Sequence, residues 1–236
     1  MPFVENYAEA MRAEDEYAKA VMMRNGLPEE LVQALAAVTS VFHAWGAAAR
    51  VTQPLIDGSE LNLTDRTLQV LWRPGHSPSD TVFWDADKRI LFAADHLISH
   101  ISSNPLIHRP LSEADALNGP RPQALVTYME SLGKTRELDA KVVLPGHGES
   151  IVDHRALIDK RFDLHERRAE KIYDLIAMRP RTAFEIAQEL WSNVAVTLAY
   201  LTISEVLGHT DILLNEGRVC EVETDGIVNF ESVTRP

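Results

Sequence analysis

From Val4 to about Ala49 apolar residues recur at roughly helical intervals, among them Tyr7, Met11, Tyr17, Val21 and Met22, and the pattern breaks at Asn25-Gly26-Leu27-Pro28. Pro28-Glu29-Glu30 opens a second helix, because a proline ring suits the first turn and carboxylates suit the positive end of the helix dipole. The period shortens from about Leu61. Leu68, Val70 and Trp72 alternate with Thr67, Gln69 and Leu71, and residues 81–84 and 89–92 flank the turn Asp85-Ala86-Asp87-Lys88, which predicts a hairpin. A polar, proline-containing loop over residues 99–122 leads to a helix at 124–135, and Val142-Val143-Leu144 is a short buried strand.

After Val152 long helices take over. Residues 155–178 carry Leu157, Ile158, Phe162, Leu164, Ile172, Leu175 and Ile176 among dense charge, an amphipathic helix with one solvated face. Arg179-Pro180-Arg181 stops it, and Thr182-Ala183-Phe184-Glu185 has the spacing of a capping box, in which hydroxyl and carboxylate each satisfy an orphan amide. A third helix is expected over residues 194–215, followed by Gly217 and two strands, 218–222 and 227–230, joined at Asp225-Gly226. Helix, helix, helix, hairpin is a winged-helix-like order.

With 236 residues the chain is long enough for one large or two modest domains. The balance of 23 Lys and Arg against 35 Asp and Glu gives a net charge of −12, which argues against a general affinity for nucleic acid or anionic membrane. Cys220 is the one cysteine, so no internal disulfide forms and a reducing, cytoplasmic setting is expected. Glu5, Glu9 and Glu14 interrupt any signal-like apolar run, and no stretch reaches the ~18 apolar residues of a membrane span.

Candidate chemistry is concentrated in Arg73-Pro74-Gly75-His76-Ser77-Pro78-Ser79-Asp80, Leu91-Phe92-Ala93-Ala94-Asp95-His96 and Val143-Leu144-Pro145-Gly146-His147-Gly148-Glu149. Each places a His or Asp just after an apolar, β-branched run, on a loop at a strand end beside small residues. Imidazole and carboxylate together suit zinc and similar divalent metals. His76, Asp95 and His147 are therefore the candidate ligands.

These three stretches resemble the later ligand motifs of the metallo-β-lactamase superfamily, whose enzymes hold two metals between the sheets of an αββα sandwich. The resemblance implies that His76 completes the first site, Asp95 bridges both metals and His147 belongs to the second, with two zinc ions per intact site. A metal-bound hydroxide then cleaves an ester, thioester, lactone or phosphodiester. The chain contains no His-x-His-x-Asp-His run, the cluster that supplies the other ligands in that family, and Ala94 stands where a glycine is common. Residues 1–152 thus resemble the second half of the sandwich, and residues 153–236 resemble the winged-helix appendage of the lactamase-β-like protein 2 subgroup. The expected fold is α/β (α+β), a partial sandwich followed by a winged-helix-like domain, in an incomplete or shortened chain that binds metal weakly.

Other histidines fit less well. His43 is expected to be exposed or hydrogen-bonded, His154 and His165 to be solvated, and His96 either to contact substrate and support a ligand or to be structural. The 99–122 loop is the candidate pocket wall for a small-molecule substrate. The third carboxy-terminal helix has no Lys or Arg between Val194 and Gly217, so it lacks the charge of a DNA-reading helix. The competing class is a non-catalytic scaffold that covers its unpaired sheet by forming a homodimer or pairing with another chain.

Overall fold

The alternating segments become the strands of one sheet. In a computed structural model that describes residues 2–43, 45–112 and 119–233, β1 (Glu60–Asn62), β2 (Thr67–Trp72), β3 (Thr81–Asp85), β4 (Ile90–Ala94) and β5 (Val142–Pro145) lie side by side in that order. β1 to β4 are antiparallel and are linked by short connections, whereas β5 runs parallel to β4 after a crossover through the helix Ala124–Arg136. The expected 85–88 turn is present, and Arg89 closes it in the left-handed region at φ 57°.

Register divides the sheet into two unlike faces. Leu71 opposite Val82, Trp84 opposite Leu91, and Leu91 beside Val143 form one face, on which these residues and Ala93 are all buried. On the other face Val70, Phe83, Phe92 and Leu144 form a row across four strands, and exposure rises along it from 1% at Val70 to 36% at Leu144.

The chain forms two compact units, and neither is one continuous stretch. The first comprises Met1–Pro54, Ile107–Pro122 and Ala169–Pro236, and the second Leu55–Leu106 and Gln123–Arg168. The helix His154–Met178 gives its first part to the second unit and its last part to the first. The second unit holds the five-stranded sheet, with Leu125, Tyr128, Leu132 and Ile158 buried in its interior.

In the first unit the helices Tyr7–Arg24 and Glu29–His43 meet at the expected break, where Gly26 takes φ 91°. They share a core of Met22, Leu27 and Val32 with Ile172, Ile186, Ile203, Leu207 and Phe230. The capping box is formed: Thr182 Oγ1 accepts from the Glu185 amide at 3.1 Å, and Glu185 Oε2 from the Thr182 amide at 2.9 Å. The 194–215 helix differs from expectation. It is split into Val194–Thr197 and Ala199–Asn215, because Leu198 leaves the helical region at φ −120° and ψ 36° after a segment rich in β-branched residues. Strands β6 (Val219–Thr224) and β7 (Ile227–Ser232) pair in register across Asp225-Gly226, both with positive φ. No described helix is long and apolar enough to cross a membrane.

Candidate metal centre

His76, Asp95 and His147 meet at the ends of β2, β4 and β5, all within the second unit. A shift in the β4–β5 register between Phe92 and Ala94 bends the strand end, and Ala94 takes φ 44°. A left-handed alanine costs about 1–2 kcal/mol, which explains why glycine suits this position. The turn aims the Asp95 side chain between the two histidines. Its Oδ2 lies 4.0 Å from His76 Nε2, and its Oδ1 lies 3.6 Å from His147 Nε2.

Each loop is fixed by its own chemistry. The Asp80 carboxylate accepts from the Ser77 amide at 3.0 Å and from the Ser77 hydroxyl at 2.5 Å, closing the loop that carries His76. His76 Nδ1 lies 3.2 Å from the Asn104 carbonyl oxygen, which can only accept, so Nδ1 donates there and Nε2 is the ring nitrogen turned toward Asp95. The Gly146 amide donates to the Ala94 carbonyl at 2.8 Å, drawing the His147 loop against the Asp95 turn. A β-carbon at Gly146 would stand 2.4 Å from Asp95 Oδ1, so only glycine permits this approach. His147 is largely open to solvent, while His76 and Asp95 are each about one-third exposed.

The donor set can be tested against a metal on this geometry. An imidazole nitrogen facing a carboxylate oxygen brings together two ligand types that zinc and similar divalent metals accept. Donors sharing one tetrahedral zinc lie about 3.4 Å apart, so 3.6 Å fits and 4.0 Å is slightly wide. The three side chains thus make two donor pairs that share one carboxylate. Among the described residues no group of three or more His, Cys, Asp or Glu side chains is arranged to hold a metal ion. The residues fit as partial ligands for two positions and do not complete either.

The structure assigns the remaining histidines differently from the pattern. His96 is buried at 1% exposure, with Nε2 2.9 Å from Thr135 Oγ1 and its ring edge-on to Tyr128, so it supports the turn from beneath. Burial, helped by the charges of Arg73 and His76, lowers its pKa to about 3 and keeps it neutral. His154 and His165 are not solvated as expected. His154 is buried with Nε2 3.1 Å from the Leu138 carbonyl, and His165 is buried edge-on to Tyr128. A charged helix face suggested exposure, yet both rings turn inward. His43, in the first unit, faces Asp15 at 3.5 Å. The loop proposed as a pocket wall divides, with residues 99–106 in the second unit and 107–122 in the first, and residues 113–118 lie outside the described residues.

Sequence reading did not single out Ser103, Tyr128 or Arg161. The Ser103 hydroxyl donates to the Asp95 carbonyl, and the Tyr128 hydroxyl donates to the His96 carbonyl at 2.9 Å. Burial pushes the Tyr128 hydroxyl up to about 12. No local signal marks these residues, since each acts on a carbonyl distant in sequence or across the fold.

With the geometry in place, comparison with known proteins is direct. A family description, the metallo-beta-lactamase superfamily, matches residues 24–147. The chain is 29% identical over 234 residues to the probable metallo-hydrolase YqjP of Bacillus subtilis, covering 99% of this chain and 71% of that protein. It is 22% identical over 120 residues to an atrochrysone carboxyl ACP thioesterase of Aspergillus fumigatus, covering 51% of this chain and 33% of the thioesterase. A crystal structure of a metallo-beta-lactamase family protein from Thermus thermophilus shares the fold at a TM-score of 0.74 and 24% identity, over 98% of this chain and 67% of that one. His76 and Asp95 lie inside the matched span and His147 at its edge. The chain belongs to the metallo-beta-lactamase superfamily.

Proposed function

We propose that this chain carries one half of the ligand set of a metal-dependent hydrolase, with Asp95 shared between two divalent ions, His76 on one and His147 on the other. The observation that carries the reading is the placement of the two Asp95 oxygens, each toward a different imidazole. Divalent ions held by these residues would supply Lewis acidity and lower the pKa of a bound water. Around them, the Asn104 carbonyl holds His76 Nδ1, Gly146 leaves room for the shared carboxylate, and Trp72, 47% exposed, donates to the Pro78 carbonyl in the His76 loop. Two protein donors per position hold zinc weakly. An ester or thioester is the substrate class best supported, since one relative is a thioesterase and family members include a metallo-hydrolase.

Equilibrium dialysis of zinc or cobalt with wild type and Asp95→Ala tests this reading, together with hydrolysis of p-nitrophenyl acetate and an acyl thioester. Weak uptake that falls at least tenfold in the variant is expected. Equal uptake by both proteins would overturn the shared-carboxylate role, and two tightly held zinc ions would overturn the expectation of weak binding.

A second reading, a non-catalytic scaffold that pairs with another copy or chain, is favoured by the incompletely covered face of the sheet, where Trp72 and Leu144 are exposed. Light scattering separates it from the first, because a discrete dimer without ester or thioester turnover supports it. The carboxy-terminal helices and hairpin serve packing in either reading. Their last helix carries no basic residue, so no retention on duplex DNA at low salt is expected.

A further inference from the structure

One short segment touches every loop of the candidate centre. The Arg161 guanidinium, on the helix His154–Met178, donates to the carbonyls of Ile98 at 3.1 Å and Ile101 at 2.7 Å, with Ser99 at 3.4 Å. Next along the segment, Ser102 Oγ lies 3.4 Å from His165 Nε2 on the same helix. Held there, the segment reaches forward at three points. A β-carbon at Gly148, beside His147, would meet His100 Nδ1 at 2.8 Å, the Ser103 hydroxyl holds the Asp95 carbonyl, and the Asn104 carbonyl holds His76 Nδ1. Ser103 is buried, and Tyr128, also buried, holds the next carbonyl, that of His96.

We propose that residues 98–104 form a positioning strap, pinned to the helix by Arg161, in which Ser103 and Tyr128 clamp two consecutive carbonyls and thereby aim the Asp95 carboxylate between His76 and His147. The physical need is local. The Ala94 turn is strained at φ 44° and its side chain offers no hydrogen bond, so beyond the turn's own bond from the His96 amide to the Ala93 carbonyl the backbone that follows is held by outside partners. Two buried hydroxyls on adjacent carbonyls fix the peptide plane, and the peptide plane fixes where Asp95 points. Ser103 and Tyr128 are positioning residues, since neither faces the carboxylate oxygens. The proposal rests on the metal-centre reading for the purpose of the aim, while the clamp itself is measurable without metal.

Amide exchange in the metal-free, full chain reads the clamp at two protons. The His96 amide donates to the Ala93 carbonyl at 3.0 Å, and the Gly146 amide donates to the Ala94 carbonyl at 2.8 Å. In Ser103→Ala both are expected to exchange at least tenfold faster while strands β2 and β3 keep wild-type protection, and Ser103→Thr, which retains the hydroxyl, restores slow exchange. Tyr128→Phe is expected to repeat the effect at His96 without emptying the core. Zinc affinity by competition with a chromophoric chelator should fall about tenfold in Ser103→Ala. Unchanged exchange at His96 and Gly146, or acceleration spread evenly over the sheet, overturns the strap. If wild type and Asp95→Ala take up zinc equally while Ser103→Ala still loosens the two amides, the strap stands and the metal-centre reading falls.

Discussion

Side-chain hydrogen bonds serve different ends in the two compact units. In the helical unit they join elements to each other. Arg121 donates to both oxygens of the buried Asp211 at 3.0 and 2.5 Å, and Ser204 and Tyr200 tie Ile107 to the helix Ala199–Asn215 through its amide and carbonyl. In the sheet unit the corresponding groups, Ser103, Tyr128, Arg161 and His76 Nδ1, are satisfied by carbonyls on or beside the loops that carry the candidate ligands. The first arrangement makes a fold resist separation. The second spends its hydrogen bonds on direction, and its loss is felt at the site before it is felt in overall stability.

Substitution at the ion pair should show the largest effect. Arg121→Ala leaves Asp211 buried and unpaired, its carboxyl already held above the usual range by burial, and is expected to destabilise the chain by about 3–5 kcal/mol in urea unfolding. Zinc uptake by the folded fraction should be unchanged. A loss below about 1 kcal/mol would mean that this pair does not join elements as argued.

Acid should discriminate against the sheet unit next. His96 has a folded pKa of about 3 against 6.5 in the unfolded chain, so the unfolded state binds the extra proton between those values. The contribution is fully present above pH 6.5 and is lost as pH falls toward 3, with a slope of about 1.4 kcal/mol per pH unit at most. His96→Gln should flatten the decline of the metal-free chain over that window, as measured by chemical denaturation at a series of pH values. A parallel decline in both proteins would place the acid sensitivity elsewhere.

The smallest effect sharpens the comparison most. Ala94→Gly relieves the left-handed strain of about 1–2 kcal/mol but adds freedom to the unfolded chain, for a net gain of about 0.5–1 kcal/mol. If the strap sets the aim of Asp95, the added flexibility should leave zinc affinity within about twofold of wild type. A larger fall would show that the alanine itself, and not the clamp, directs the carboxylate.

Much of the architecture was legible because periodicity is a local property. Period-2 alternation marked β2, the Asp85-Ala86-Asp87-Lys88 turn marked β3 and β4, a Pro-Glu-Glu start marked the second helix, and Thr182 with Glu185 gave a capping box whose two bonds both form. The split at Leu198 was not legible, since the apolar pattern continues through it while the backbone does not. His154 and His165 were misjudged for a related reason. A histidine among charges reads as solvated, and only the neighbouring Leu138 carbonyl and the Tyr128 ring show that each is turned inward.

The sequence by itself determined the mixed α/β class, the order of elements and the three loops that carry the candidate residues His76, Asp95 and His147, because each depends on residues within one segment. Tertiary structure alone decided that the two Asp95 oxygens face different histidines, that the pocket-wall loop divides between units, and that Ser103, Tyr128 and Arg161 hold the site in place. Hydrogen bonds from these side chains end on backbone carbonyls, and every residue has one. No side-chain pattern along the chain can mark which carbonyl is chosen, since the choice is made by distance after folding.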